Sequence, residues 1–236
     1  MKRIIIALVC LLAGLAYSTA FSQGFTPPVF VIGATLDGNM AANDAYGTNF
    51  SDPNTYNMVW GKGITIHGKY GFGVRRNHRI TYSLGFNNMQ NDNHNTVPFI
   101  KFSMETPYTD YRIWTQAIGY EYAFNARCRN KQFIGAAITA NVFSSGQGSI
   151  NEFNYAFRLG FQVSAGYEFT LGKLQQTGLM VGVKYHIPNI GFQQNAVSTL
   201  NDGTGYPGPG FWRRIGILSL NLGFNFYTDV KPYRQK

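Results

Sequence analysis

The feature of this sequence that most constrains the fold is the alternation of apolar and polar residues over positions 157–169. Phe, Leu, Val, Ala and Tyr occupy the odd-numbered positions, whereas Arg158, Glu168 and small or polar residues occupy the even-numbered ones. A period of two is that of a β-strand, because successive side chains point to opposite faces of a sheet. A soluble sandwich buries its apolar face, but a membrane barrel turns that face toward lipid and encloses the polar one. The segment is therefore a predicted strand, and the remaining sequence must distinguish the two architectures.

Seven further segments have a comparable strand pattern. The eight predicted strands cover residues 30–37, 60–74, 79–87, 111–124, 133–143, 157–169, 179–187 and 215–227. Most are close to the roughly 9 to 11 residues that a tilted membrane-spanning strand requires. Gly and aromatic residues are abundant and only 13% of the residues are charged, a composition that suits an all-β protein with a lipid-facing exterior.

The connections between the predicted strands alternate in length. Long connections follow the first, third and seventh strands and a moderate one follows the fifth, whereas short turns follow the second, fourth and sixth. Short turns on one side and long loops on the other are typical of outer-membrane barrels, and Greek-key sandwiches do not require this alternation. The sequence therefore predicts an all-β fold, an eight-stranded antiparallel up-and-down transmembrane β-barrel. The rival fold is a soluble calycin-like carrier, which would be recovered without detergent.

Aromatic residues concentrate near the two ends of the predicted strands. A membrane barrel carries aromatic girdles at both interfaces, whereas the core of a soluble sheet would not sort aromatic residues by strand end. We expect one girdle on the loop side, formed by Trp60, Trp114 and Trp212. We expect a second girdle on the turn side, which includes Tyr120, Tyr122, Tyr167, Phe169, Phe224 and Phe226.

Charged residues also fall on the predicted inward face. An eight-stranded barrel is just wide enough for side chains to fill it, and charges inside it must pair. The predicted ion-pair cluster comprises Lys69, Arg79, Glu121 and Glu168 at similar depths, with Arg158 further toward the loops. Other inward candidates toward the loops are Asp37, His67, Lys184 and His186.

The N-terminus has the features of a secretory signal peptide. Lys2 and Arg3 precede an apolar run, and small residues follow it. Cleavage after Ala20 or after Ser22 fits the pattern, and the second choice divides the chain into a signal peptide (1–22) and a barrel domain with a short periplasmic C-terminal tail (23–236). Cys128 would then be the single cysteine of the mature chain, which could form no internal disulfide.

The net charge of +9 is unevenly distributed along the sequence. Basic residues such as Arg75, Arg127 and Lys131 fall in the short turns or the tail, whereas acidic residues fall in the long loops. The expected partners are outer-membrane lipids, whose anionic heads the basic turns could contact, and other envelope proteins that bind the aromatic-rich loops or the basic turns. Ordinary solvated turns remain the alternative, and an exported chain is not expected to bind nucleic acid.

Enzymatic motifs are weak. The histidines are dispersed without metal-ligand spacing, and no G-x-S-x-G nucleophile motif is present. We therefore expect no catalytic residues, no metal and no cofactor, and a protein that is not an enzyme.

Two short motifs and the final strand carry a family resemblance. Residues 119–122 (Gly-Tyr-Glu-Tyr) and 166–169 (Gly-Tyr-Glu-Phe), with the alternation over 220–226, resemble the strand ends of the small eight-stranded outer-membrane barrels. This is the outer-membrane protein A/X-like superfamily, and the chain is most similar to its barrel-only Bacteroidota members. One departure is that residues 228–236 follow the final aromatic residue.

The resemblance implies export to the Gram-negative outer membrane and a structural or surface-interaction role. One version of that role is a subunit of a larger secretion or uptake complex. A narrow channel for small or hydrophobic molecules is the alternative, and a lipid-modifying barrel enzyme is a third.

Overall fold

The computed structural model describes residues 27–52, 54–92, 108–146, 149, 154–172, 174–190, 200, 202 and 213–229. Its elements are β1 (Phe30–Asn43), β2 (Trp60–Phe72), β3 (His78–Asp92), β4 (Tyr108–Phe124), β5 (Asn130–Ser145), β6 (Ala156–Leu171), β7 (Thr177–Ile187) and β8 (Ile215–Tyr227). Each strand pairs antiparallel with the next, and β8 pairs with β1. The predicted eight-stranded up-and-down barrel is confirmed as a closed barrel. The predicted signal peptide lies outside the described residues.

Most strands run further than predicted, and the longest extensions are at the loop ends of β1 and β3. β1 continues to Asn43 and β3 to Asp92, whereas the predicted strands stop at residues 37 and 87. Both extensions are rich in asparagine and lose the apolar alternation, but backbone pairing continues from Asn43 to Ile215 and from Asp92 to Tyr108. Hydrogen bonds between strands do not depend on an apolar face. Apolar alternation therefore marks only the part of a strand that has an apolar face, and the strand itself can extend beyond it.

The three short connections, at 73–77, 125–129 and 172–176, share one end of the barrel with the start of β1 and the end of β8. Each begins with a residue in the left-handed region, namely Gly73 (φ 81°), Asn125 (φ 52°) and Gly172 (φ 69°). Glycine and asparagine adopt this conformation most readily. The sequence thus favours a tight reversal at the start of each turn.

The barrel surface is apolar and its interior is polar. The burial pattern of β1 alternates exposed and buried side chains through its first eleven residues, and the exposed positions carry Phe30, Ile32, Leu36 and Met40. Leu36 is 67% exposed, whereas its neighbour Asp37 is 3% exposed. Such a large exposed apolar surface is unusual for a protein in water. The side-chain arrangement is therefore the inverse of a soluble barrel.

The main apolar core lies at the loop end of the lumen. Its buried members come from the strand ends and from the connections 44–59 and 188–214: Ala45, Tyr56, Met58, Met89, Tyr111, Ile113, Phe143, Ala156, Leu200, Ile215 and Ile217. We call this cluster the apolar cap. Among the described residues, no helix long and apolar enough to cross a membrane is found.

Candidate functional site

Four buried charges meet in the turn-side half of the lumen. Lys69 Nζ lies 2.9 Å from Glu121 and 2.7 Å from Glu168. Arg79 Nη1 lies 2.8 Å from Glu121 and 3.0 Å from Glu168. None of the four residues is more than 5% exposed. The structure thus brings together four of the five residues of the predicted cluster, each from a different strand, and we call these four the ion-pair cluster.

Arg158, the fifth predicted member, lies elsewhere. Its guanidinium forms a two-pronged contact with Asp202, with Nε 2.8 Å and Nη2 2.7 Å from the two carboxylate oxygens. Asn189 donates to the same carboxylate at 3.1 Å. Arg158 points inward as predicted, but its partner comes from the 188–214 connection, which reaches back into the barrel mouth. Bidentate contacts of this kind fix geometry as well as charge, so Arg158 fastens that connection to the barrel wall.

Lys131 is also inside the barrel, although the sequence analysis assigned it to a basic turn. It is the second residue of β5 and is 0% exposed. Its Nζ donates to Thr170 Oγ1 at 2.9 Å and lies 4.8 Å from the ring centroid of Tyr227. The assignment was wrong because Lys131 shares the inward face of β5 with Phe133. The turn-side half of the lumen therefore holds a third basic side chain besides Lys69 and Arg79.

Asp37 organises the middle of the lumen. Its carboxylate accepts hydrogen bonds from Thr35 (2.8 Å), Thr65 (2.6 Å) and Asn221 (2.6 Å), and it pairs with Lys184 at 3.2 Å. Neighbouring inward side chains bond across the lumen, including His67 with Asn225, Thr139 with His186, and Asn39 with Asn87. Buried polar groups are stable only when they are paired in this way.

A small cavity lies between the ion-pair cluster and the Asp37 network. Its volume is about 90 Å³, and Thr65, Lys69, Glu121, Ser164 and Lys184 contribute to its lining. A cavity of this size and polarity can hold a few water molecules. It is smaller than the roughly 300 Å³ at which pockets for organic ligands begin.

The apolar cap covers the loop end of the lumen. Tyr56 Oη donates to the carbonyl of Leu200 at 2.8 Å, and the Arg213 guanidinium lies 4.5 Å from the Tyr56 ring centroid. The Tyr56 ring also meets Tyr111 edge-on at 6.3 Å. Burial raises the pKa of Tyr56 well above its usual value. The cap ties both described loop connections across the mouth of the barrel.

The predicted aromatic residues lie on outward positions near the strand ends. Trp60 and Trp114 are exposed on the loop side, and Tyr120, Phe224 and Phe226 are exposed on the turn side. Tyr122 and Phe169 are half-buried, and Tyr167 is 9% exposed because it stacks on Phe169 and accepts a hydrogen bond from Gln132. Trp212 lies outside the described residues.

The described residues contain no group of three or more His, Cys, Asp or Glu side chains arranged to hold a metal ion. Cys128 is a half-buried free thiol in the turn 125–129. Of the residues that matter inside the lumen, sequence reasoning missed Lys131, Asp202 and the cap residue Tyr56. The inward–outward alternation of β5, continued back from Phe133, would have placed Lys131 on the inward face.

Several solved structures have the same architecture. Neisserial surface protein A aligns with a TM-score of 0.53 at 14% identity over 87% of this chain and 99% of that chain. The outer membrane protein OprG from Pseudomonas aeruginosa aligns with a TM-score of 0.45 at 10% identity over 87% and 98% of the two chains. The attachment invasion locus protein Ail of Yersinia pestis gives 0.44 at 11% identity over 84% and 97%.

At these identities the likeness shows the fold alone, which is that of the small eight-stranded outer-membrane barrels. No family profile and no curated protein matches the sequence.

Proposed function

We propose that this protein is a non-conducting, non-enzymatic integral barrel of the Gram-negative outer membrane that acts through its surface, as a structural component or as a docking partner of other envelope proteins. The observation that carries the proposal is that, among the described residues, ion pairs, hydrogen-bonded side chains and an apolar cap occupy the lumen of a barrel with an apolar exterior. Lumen and exterior support different parts of it.

The apolar exterior supports insertion in a membrane. Outward side chains such as Ile118 (61% exposed) and Leu220 (60% exposed) form a band around the strands, and the aromatic residues flank this band at both ends. Closure of β1 on β8 leaves no strand edge unpaired among the described strands. In lipid, all backbone polar groups must be hydrogen-bonded within the protein, which only helices and closed barrels achieve. The closed barrel meets this requirement for crossing hydrocarbon with strands.

The filled lumen supports a role without conduction. The ion-pair cluster occupies the turn-side half, the Asp37 network occupies the middle, and the apolar cap covers the loop end. A cavity of about 90 Å³, lined by described residues, separates the first two. A continuous pore would require the breaking of buried ion pairs, which is strongly unfavourable.

Partner binding would then involve the two ends of the barrel. The turn end presents the exposed Arg75, Arg127 and Arg129, which suit anionic partners. The loop end offers the exposed ring of Tyr46 (51% exposed) beside the cap, and exposed aromatic residues are frequent binding hot spots.

The test begins with extraction of the tagged protein from outer membranes, native mass measurement and identification of co-purifying chains. We expect recovery only with detergent and a shift in gel mobility on boiling, which reports an intact barrel. Reconstitution in planar bilayers should give no current steps, and deletion of the gene should leave the lipid A acyl pattern unchanged. Recovery without detergent would overturn the membrane placement, and steady single-channel steps would favour the channel alternative.

A further inference from the structure

The outward face of β2–β6 carries a groove of about 370 Å³. Large apolar side chains line it, among them Ile66, Leu84, Phe86, Trp114, Val142 and Phe157. Between them lie the small side chain of Ala140 and the side chain of Gln116, which face each other across the β4–β5 pair. Its volume lies within the roughly 300–1,000 Å³ range of small-molecule sites, which are mostly apolar with a few polar groups. We call it the lateral groove.

Gln116 is out of place on a lipid-facing surface. It is exposed on the outward face of β4, between Trp114 and Ile118. Within the described part of the chain, no hydrogen bond to its amide is found. An unpaired amide in hydrocarbon is unfavourable by several kcal/mol. The position thus favours a neighbouring molecule with a hydrogen-bonding group inside the groove.

A row of polar side chains lies directly on the loop side of the groove. Lys62 is opposite Asn88 in the β2–β3 register, and Asn88 is opposite Arg112 in the β3–β4 register. The next outward row toward the turns consists of Ile64, Phe86 and Trp114, all of which line the groove. We call Lys62, Asn88 and Arg112 the cationic row.

Both cations of this row are accessible. Lys62 is exposed, and the Arg112 side chain is 52% exposed with one long contact of 3.5 Å to Asp110. Exposed ion pairs of this length contribute little, so the Arg112 guanidinium can exchange this contact for another anion. Opposed residues on neighbouring strands are about 5 Å apart, and Lys62 and Arg112 are separated by two such steps, or about 10 Å. Their long side chains can therefore reach one phosphate group between them.

We propose that the lateral groove and the cationic row together bind a phosphorylated lipid of the outer leaflet. Lys62 and Arg112 contact the phosphate, an acyl chain lies along the groove, and Gln116 bonds a carbonyl or hydroxyl group near the head of that chain. Gln116 is four residues from Arg112, or about 13 Å along the tilted strand, so it lies deeper than the phosphate, beside the upper part of the acyl chain. The proposal rests on the membrane placement proposed above.

A second copy of this chain fits the same surface poorly. Two barrels inserted in the same direction are related by an axis along the membrane normal, so each residue would meet its counterpart at the same height. Lys62 and Arg112 would then face Lys62 and Arg112. Charge complementarity therefore favours an anionic lipid over self-association.

The experiment measures lipid adducts on the detergent-purified full chain by native mass spectrometry, with phosphatidic acid as the probe. Diacylglycerol of the same acyl composition is the control that lacks phosphate. We expect adducts with phosphatidic acid and at least about tenfold weaker binding of diacylglycerol, equivalent to about 1.4 kcal/mol. Persistence of the phosphatidic acid adduct in excess inorganic phosphate would separate lipid binding from capture of a free anion, and its loss would overturn the role of the groove.

Two variants test the named residues. The double variant Lys62→Gln/Arg112→Gln should reduce phosphatidic acid binding about tenfold. The control variant Arg214→Gln removes an exposed cation directly before β8, outside the β2–β6 face that carries the groove, and should change it less than twofold. Equal loss in both variants, or no loss in the first, would refute the site. The variant Gln116→Leu should weaken lipid binding while the unfolding midpoint stays equal or rises, because it removes an amide from the apolar face; unchanged binding would remove Gln116 from the proposal.

The mobility shift on boiling is measured for every variant. If the mobility shift remains but lipid binding is lost or was never present, the barrel is intact and the result concerns the lipid site alone. Wild-type protein that is recovered without detergent would instead overturn the proposed function.

Discussion

Replacement of Glu168 by Gln should cause a large loss of stability, because it leaves buried charge unpaired. Glu168 is 0% exposed, and it supplies two of the four ion-pair contacts of the cluster, to Lys69 at 2.7 Å and to Arg79 at 3.0 Å. After the change, Glu121 is the remaining carboxylate for both cations, with Lys131 close by. Removal of one partner from a buried pair typically costs about 3–5 kcal/mol, a substantial share of a total stability of about 5–15 kcal/mol.

The assay is urea unfolding of the barrel refolded in lipid vesicles, followed by tryptophan fluorescence and by the gel-mobility shift. The control is Asp229→Asn, which removes one carboxylate at an exposed position after β8 and should change the free energy of unfolding by less than about 0.5 kcal/mol.

A double substitution separates lost pairing from lost packing. Lys69→Met combined with Glu168→Gln removes one cation with the carboxylate, so it should be less destabilising than the sum of the two single changes. The pairing argument fails if Glu168→Gln unfolds within about 0.5 kcal/mol of wild type, or if the double variant equals the sum.

Three further predictions concern other parts of the barrel. A Cβ at Gly223 would overlap the Ala34 carbonyl oxygen, whereas one at Gly68 would meet nothing within 4 Å. Gly223→Ala should therefore prevent refolding and Gly68→Ala should not, as measured by the yield of the unboiled gel band, and equal yields would contradict the close packing. Arg158→Met removes the contact with Asp202, so chymotrypsin, which cuts after aromatic residues such as Phe192, should cleave the 188–214 connection at least several times faster than in wild type. Arg127→Met, in a turn, should leave the rate at that connection unchanged; an unaltered rate for Arg158→Met would show that other contacts hold the connection. Because the pKa of Tyr56 is raised in the folded chain, the unfolded chain releases the phenolic proton first, near pH 10. The contribution of Tyr56 to the free energy of unfolding is therefore complete below pH 10 and decreases as the pH rises above it. Tyr56→Phe should flatten the decrease in urea midpoint between pH 9 and pH 11, and identical slopes would exclude Tyr56 as its source.

The sequence predicted the barrel because alternation and connection length reflect forces that act along each strand. Apolar residues on one face of β6 and polar residues on the other follow directly from lipid outside and side chains inside. The partners within the ion-pair cluster could also be anticipated, because Lys69, Arg79, Glu121 and Glu168 lie at comparable distances from the turn ends of their strands. Their pairing in the structure follows from that shared depth.

Contacts made by the connections were beyond this reasoning. Asp202 is 44 positions from Arg158 and belongs to a segment without periodicity, so nothing local indicates that it returns to the lumen. Tyr56 and Met58 precede β2 in a loop, where an apolar residue has no predicted face. Lys131 was missed for a different reason. It was assigned to the adjacent basic turn, although the alternation of side chains along β5 places it inside the barrel.

The ion-pair cluster also has a consequence for how the chain enters a bilayer. Lys69 on β2 and Glu168 on β6 are separated by 99 positions. The β2–β3 hairpin carries Lys69 and Arg79 but neither carboxylate of the cluster, so it cannot insert alone with its charges neutralised. The β2–β3 hairpin alone would carry two unpaired charges into hydrocarbon, which is highly unfavourable. We therefore expect β4 and β6, which carry the two carboxylates, to enter the membrane together with the β2–β3 hairpin. Neutralisation of all four charges would then require β2, β3, β4 and β6 to be assembled together.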